Sequence, residues 1–72
     1  MNVKITYCVP CGYLPRAEEL KNKIEKSVKD AKVELAKGEK GIFDVIMNGK
    51  LIFSKHKEGR FPEQEEILKM VK

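Results

Sequence analysis

The sequence predicts a two-layer α/β (α+β) fold, with both helices on one face of a four-stranded mixed sheet. Three observations predict it. Alternating apolar residues open the chain and precede a stretch with helical spacing, which favours a strand–helix–strand unit with parallel strands. Asn48 and Gly49 between two apolar runs predict an antiparallel hairpin, because both residues tolerate positive φ. A second helical pattern ends the chain, and its 72 residues fit a single domain over residues 1–72.

The spacing of apolar residues predicts the first three elements. Val3, Ile5 and Tyr7 alternate with polar residues, as in a strand with one apolar face. Spacings of three and four then mark one face of an amphipathic helix, formed by Ala17, Leu20, Ile24, Val28 and Ala31. Pro15 suits the first turn of that helix. Alternation at Val33 and Leu35 predicts the second strand.

The hairpin and the final helix account for the second half of the chain. Residues 42–47 and 51–55 are the predicted third and fourth strands, and residues 56–60 form a polar connection. Pro62 is expected to open the last helix, because proline is tolerated in a first turn. Its buried side chains are predicted to be Ile67, Leu68 and Val71.

Composition narrows the classes of protein that the chain can belong to. It is 42% hydrophobic and 36% charged, which fits a globular domain. No apolar run approaches the roughly 20 residues of a membrane span, and the first residues lack a signal core, so we expect a cytoplasmic protein without a membrane partner. The net charge is +4, but acids and bases alternate as in Glu19 and Lys23, so no specific nucleic-acid partner is expected.

One face of the predicted sheet is expected to lack helices. The alternation in the first two strands places polar side chains there. Ile42, Ile46 and Ile52 are predicted on the same face and would form a modest apolar patch. Ordinary surface hydrophobes are the more common explanation of such a patch than a partner interface. We therefore expect a monomer or a weak dimer.

The two cysteines, Cys8 and Cys11, lie where the first strand passes into the first helix. Sites in open α/β sheets favour the carboxyl ends of strands, and the partial positive charge of a helix N-terminus stabilises a thiolate. A bridge across so short a loop adds little stability, so a structural staple explains the pair poorly. The CxxC pattern beside a strand–helix–strand unit predicts a thioredoxin-like redox motif with both cysteines catalytic and no cofactor.

Other interpretations of the cysteine pair remain open. A closed zinc site needs four ligands, and the chain offers Cys8, Cys11 and at most His56. Copper-chaperone-type domains favour a Met two residues before the first cysteine, where this chain has Thr6. Two inert buried thiols are not expected, because the cysteines flank a turn rich in Pro and Gly. Soft-metal (copper or zinc) handling and a redox-sensitive protein-binding module stay as alternative functions.

Strand directions predict which other segments lie near the cysteines. The loop 38–41 and residues 54–57 should share their end of the sheet, with the fourth strand two strands away from the first. Lys55, His56 and Lys57 would there favour a thiolate or an acidic partner such as glutathione. Exposed connection residues without a function are the more common interpretation of such a basic segment.

Four motifs together resemble the selenoprotein W-like family, also called the SelT/SelW/SelH or Rdx family. They are YCVPCGY at residues 7–13, GIFDV at 41–45, GKLIFSK at 49–55 and GRFP at 59–62. The resemblance runs nearly end to end. It implies a thioredoxin-like fold and a redox protein that exchanges with thiol or disulfide proteins, with glutathione as a candidate reductant. This makes the chain a candidate thiol–disulfide oxidoreductase.

The resemblance also implies roles for the two cysteines. Selenocysteine-containing relatives have selenium at the position of Cys11, so this chain is similar to a cysteine-containing member. That precedent implies Cys11 as the attacking group and Cys8 as the resolving one, whereas analogy with ordinary thioredoxins implies the reverse. No proline opens the third strand, where thioredoxins have a cis-proline. Substrate docking is therefore expected to differ from that of thioredoxin.

Overall fold

Four strands and three helices make up the part of the chain that the computed structural model describes, residues 2–39 and 41–71. In chain order they are β1 (Asn2–Cys8), α1 (Leu14–Ser27), β2 (Lys32–Gly38), β3 (Phe43–Met47), β4 (Lys50–Ser54), α2 (Lys55–Glu58) and α3 (Gln64–Val71). Among these residues, no helix combines the length and the apolar character that a membrane crossing requires. The predicted fold class and the order of its strands are confirmed.

The sheet has the order β2-β1-β3-β4 and is mixed. β1 runs parallel to β2 and antiparallel to β3, and β4 returns antiparallel to β3. Cys8 lies beside Gly38, and Tyr7 lies beside Phe43. The carboxyl ends of β1, β2 and β4 therefore meet the start of β3 at one end of the sheet. This confirms the predicted grouping of segments around the cysteines and the position of the fourth strand two places from the first.

The core lies between one face of the sheet and the helices α1 and α3. Its buried residues are Val3, Ile5, Tyr7, Ala17, Leu20, Ile24, Val33, Phe43, Val45, Phe53, Ile67 and Val71. Ile24 of α1 and Ile67 of α3 are fully buried. Burying an aliphatic side chain of this size stabilises a protein by about 1.5–3 kcal/mol. The predicted apolar faces of both helices are thus the surfaces that hold them on the sheet.

The first helix is shorter than its apolar pattern predicts. It ends at Ser27, and Val28 is already extended with φ −120° and ψ 106°. Val28 and Ala31 still pack against the core, but from the turn that leads into β2. The apolar spacing of the helix continues through the turn because the helix and the turn both cover the same core. The prediction that the helix includes these two residues is wrong.

The short helix α2 begins at Lys55 and extends into the predicted polar connection 56–60, where no helix was predicted. The helix has no buried residue, so no apolar spacing marks it. Gly59 ends it with φ 73° and donates its N–H to the Lys55 carbonyl at 2.7 Å. A left-handed residue at this position favours glycine. β4 consequently ends at Ser54, one residue earlier than predicted.

A bulge in β4 changes which side chains face the uncovered side of the sheet. Val45 pairs with Phe53 but Ile46 pairs with Leu51, which leaves Ile52 as an extra residue. Leu51 therefore shares the uncovered face with Ile46 and is 49% exposed. Ile52 packs against the core instead. The prediction that Ile52 lies on the uncovered face is wrong, because strict alternation fails at a bulge.

Candidate active site

The cysteine loop joins β1 to α1 in one tight turn. Gly12 has φ 74° and donates its N–H to the Val9 carbonyl at 3.2 Å. The Tyr13 N–H points back to the Cys8 carbonyl at 3.5 Å, and α1 begins at the next residue. Cys8 and Cys11 form a disulfide, with their Cα atoms 5.3 Å apart. This separation lies within the usual range for a disulfide.

The two cysteines differ in exposure. Cys8 is the last residue of a central strand, is 0% exposed and donates its N–H to the Ile42 carbonyl at 2.9 Å. Cys11 lies in the turn and is exposed. The expectation that the Pro/Gly turn keeps both thiols from burial is wrong for Cys8, because its backbone still belongs to the sheet. Cys11 is therefore the accessible member of the pair.

Gly38, which was predicted only as a loop residue, lies beside Cys8 in the sheet. A Cβ atom at this position would overlap Cγ2 of Ile42 and lie 2.8 Å from Cγ2 of Thr6. Only glycine leaves room for both methyl groups, and no spacing rule in the sequence signals this close approach. Ile42 thereby comes to lie over the strand ends next to the buried cysteine.

Three aromatic rings pack edge to face behind the cysteine loop. Tyr13 lies 4.7 Å from Phe61 and 6.4 Å from Phe43, and Phe43 lies 5.4 Å from Phe61, between ring centroids. Such pairs stabilise by about 0.5–1.5 kcal/mol beyond their buried area. None of the three was predicted as a site residue, although each lies within a motif that carried the resemblance. The cluster fixes the start of α1 against the segment before α3.

Two cations lie on the rings of this cluster. The Arg16 guanidinium lies 4.2 Å from the Phe61 centroid. The Lys55 ammonium lies 5.4 Å from the same centroid and 5.8 Å from that of Tyr13. Lys55 thus lies over the ring of Tyr13, two residues after Cys11. It belongs to the basic segment that the strand directions placed at the cysteine end of the sheet. His56 and Lys57 of the same segment are exposed on α2.

A paired arginine holds the segment that carries Phe61. Arg60 donates two hydrogen bonds to the Glu66 carboxylate, at 2.8 and 3.0 Å. Glu66 also accepts the Glu63 N–H at 3.2 Å, at the start of α3. The hydrogen bonds from Arg60, followed by that from Glu63, lower the pKa of the Glu66 carboxyl. The Glu66 carboxylate raises the pKa of Arg60.

The other candidate sites offer fewer reactive side chains than the cysteine end. Within residues 2–39 and 41–71, no group of three or more His, Cys, Asp or Glu side chains is arranged to hold a metal ion. A concave surface of about 450 Å³ is an open groove on the uncovered face at the hairpin end of the sheet. It is lined by Asn2, Val3, Lys4, Lys32, Glu34, Ile46 and Gly49. The cysteine end is therefore the candidate active site.

A mixed sheet with helices on one face and a CxxC disulfide between β1 and α1 define a protein with a thioredoxin-like fold. The chain belongs to the Rdx family, whose family model matches residues 2–72. The selenoprotein W-related protein of Vibrio cholerae superposes with a TM-score of 0.92 and 26% identity, over 97% of this chain and 90% of that one. The resemblance drawn from the four motifs is confirmed.

Two further comparisons agree with this family. A Bordetella parapertussis protein of known structure superposes with a TM-score of 0.92 and 28% identity, over 97% of this chain and 91% of that one. The proteins named migration and invasion enhancer 1 of Mus musculus and Bos taurus are each 28% identical over all 72 residues. The chain spans 63% of the length of these curated relatives.

Proposed function

We propose that this protein is a thiol–disulfide redox protein that uses Cys8 and Cys11 as a dithiol/disulfide couple. The observation that carries the proposal is the disulfide between β1 and α1, with one cysteine buried and the other exposed. A structural role is a weaker explanation, because the loop between the cysteines is too short to restrict the unfolded chain much. The family supports a redox role in general terms.

The exposure of the cysteines assigns their order of reaction in this proposal. The Cys11 thiolate, favoured by the partial positive charge at the start of α1, attacks one sulfur of a substrate disulfide. A mixed disulfide forms, and the displaced thiolate takes a proton from water. Cys8, as a thiolate, then attacks Cys11 Sγ, which forms the internal disulfide and releases the second substrate thiol. Two electrons pass from the protein to the substrate.

Several parts of the proposal rest on the sequence and the resemblance. Glutathione is the candidate reductant that returns the protein to its dithiol form, and protein thiols or disulfides are the candidate substrates. A cytoplasmic location, a monomeric or weakly dimeric state and the lack of nucleic-acid and membrane partners also remain predictions. Cys11 carries sulfur where selenium-containing relatives carry selenium, so we expect weaker peroxidase activity than theirs.

A redox titration tests the proposal directly. The protein is equilibrated in thiol–disulfide buffers of graded potential, quenched, alkylated and weighed by mass spectrometry. We expect one two-electron transition near the cytosolic glutathione poise, roughly −220 to −320 mV. Thiols that stay free throughout this range would contradict the proposal and favour the soft-metal alternative, which predicts stoichiometric copper or zinc uptake that depends on both cysteines.

A protein-binding module is the second candidate function, and the exposed apolar residues next to Cys11 favour it. Val9 is 48% exposed and Leu14 is 42% exposed. In such a module the disulfide would only change the shape of a contact surface. A partner that binds the double variant Cys8→Ser/Cys11→Ser as tightly as the native protein would support the module over the redox protein.

A further inference from the structure

We infer that the surface around Cys11 selects disulfide substrates with an apolar side chain beside the reacting sulfur and carboxylates a few residues away. We call it the Cys11 surface and define it as Val9, Cys11, Leu14, Arg16 and Lys55. The inference rests on the proposed redox function and adds the class of substrate. Two exposed apolar residues that flank Cys11 in the chain, and two cations held on the aromatic rings that follow the cysteine loop, carry the inference.

The apolar part consists of Val9 and Leu14, which flank Cys11 along the chain. They are two of the four large hydrophobic side chains that are exposed in the described part of the chain. A single exposed hydrophobe needs no explanation, but these two lie on both sides of the one exposed cysteine. An apolar substrate side chain bound against them would lose contact with water and be held near the Cys11 sulfur.

The charged part consists of Arg16 and Lys55. Both lie against aromatic rings, Arg16 on Phe61 and Lys55 on Phe61 and Tyr13. Ring contact restricts a cation without neutralising it. Within residues 2–39 and 41–71, Arg60 and Glu66 form the only salt bridge. Neither Arg16 nor Lys55 is therefore paired with a carboxylate in that part of the chain. Two oriented cations that form no salt bridge fit a substrate carboxylate.

The aromatic cluster ties the two parts together. Tyr13 stands between Cys11 and Arg16 in the chain, and its ring contacts both Phe61 and the Lys55 ammonium. A small hollow beside it, about 50 Å³, is lined by Arg16, Phe61 and Glu19 among others. Glu19 is an acid close to Arg16 and opposes an incoming carboxylate. Its replacement is therefore expected to strengthen the preference for acidic substrates.

Two matched peptides test the inference. Each carries one cysteine with a leucine beside it, blocked as a mixed disulfide with 2-mercaptoethanol. One peptide has aspartates at nearby positions and the other has lysines. Reduced protein transfers two electrons to the disulfide, which releases the peptide thiol and 2-mercaptoethanol and leaves the Cys8–Cys11 disulfide. We expect the acidic peptide to react about tenfold faster at low salt, and the ratio to fall at high salt.

Variants separate the two parts of the surface. The double variant Arg16→Gln/Lys55→Gln is expected to lose most of the charge preference. The double variant Lys23→Gln/Lys26→Gln, at two exposed lysines in the later part of α1, removes the same charge and is the matched control that keeps the preference. Glu19→Gln is expected to increase the preference. Val9→Ser/Leu14→Ser is expected to slow both peptides by a similar factor. Far-UV circular dichroism shows whether each variant is folded.

A neutral disulfide distinguishes the failure of this inference from the failure of the proposed function. Bis(2-hydroxyethyl) disulfide has neither charge nor a large apolar group, so only the reactivity of the cysteines determines its rate. If it is reduced but the native protein treats the two peptides alike at low salt, the inference is wrong and the redox function stands. If none of the three disulfides is reduced, the proposed function itself fails.

Discussion

The two ends of the sheet are built differently. At the hairpin end, Asn48 has φ 51° and Gly49 has φ 83°, and Asn48 is bonded twice to Asn2. At the cysteine end, a disulfide loop, exposed apolar residues and unpaired cations surround the strand ends. At the hairpin end, Asn48 is hydrogen-bonded within the protein. At the cysteine end, exposed apolar side chains and cations remain available for a partner. The comparison predicts that substitutions at the hairpin end change stability, while those at the cysteine end also change reactivity.

The largest expected effect is the loss of the dithiol/disulfide couple. Cys8→Ser or Cys11→Ser should abolish the internal disulfide completely, because each removes one sulfur of the bond. Cys8→Ser should additionally trap a mixed disulfide between Cys11 and a substrate, since no resolving thiol remains. Mass spectrometry after alkylation measures both outcomes. A Cys8→Ser protein that still cycles by itself would contradict the mechanism.

Gly38→Ala is expected to destabilise the cysteine end by about 1–3 kcal/mol, because overpacking forces neighbours to shift. The added methyl group meets Ile42 and Thr6 beside Cys8. Urea unfolding measures the free energy of unfolding. The double variant Gly38→Ala/Ile42→Ala serves as the control, because it removes the Ile42 methyl group that the new Cβ overlaps. Two independent, additive effects would show that the overlap is not the cause.

Asn48→Ala, at the hairpin end, is expected to lower the free energy of unfolding by about 1–2 kcal/mol. Alanine tolerates the left-handed conformation less well than asparagine, and the bond from the Asn2 N–H to Asn48 Oδ1 at 2.9 Å is lost. Urea unfolding measures this cost too. The potential of the Cys8–Cys11 couple should stay unchanged, since the turn lies at the far end of β1. A shifted potential would show that the two ends are coupled.

Glu66→Gln is expected to have the smallest effect, because Arg60 is exposed to solvent and Glu66 is partly exposed. Since the pKa of Glu66 is lowered in the folded protein, its contribution is present above the ordinary carboxyl pKa. It disappears as the pH falls through the lowered value. Urea unfolding of both proteins at several pH values should therefore show a difference at neutral pH that vanishes in acid. If the difference in stability persisted in acid, it would come from packing and not from the charge of Glu66.

Local features of the molecule could be predicted from the sequence because short-range rules govern them. Alternation marked β1, the spacing of Ala17, Leu20 and Ile24 marked α1, and the Asn-Gly pair marked the hairpin. The position of the cysteine pair at a strand–helix junction followed from the same rules. Strand directions then placed Lys55 at the cysteine end. The motifs added the family, which composition and spacing do not contain.

The tertiary structure alone decided the features that depend on residues far apart in the chain. Cys8 is buried because β1 is a central strand with neighbours on both sides. The need for glycine at position 38 arises from Ile42 and Thr6, and the bulge at Ile52 arises from pairing with β3. Sequence patterns report the period of a segment and its turn residues. They do not report which distant side chain will occupy the space beside it, and that contact determines burial and access at this site.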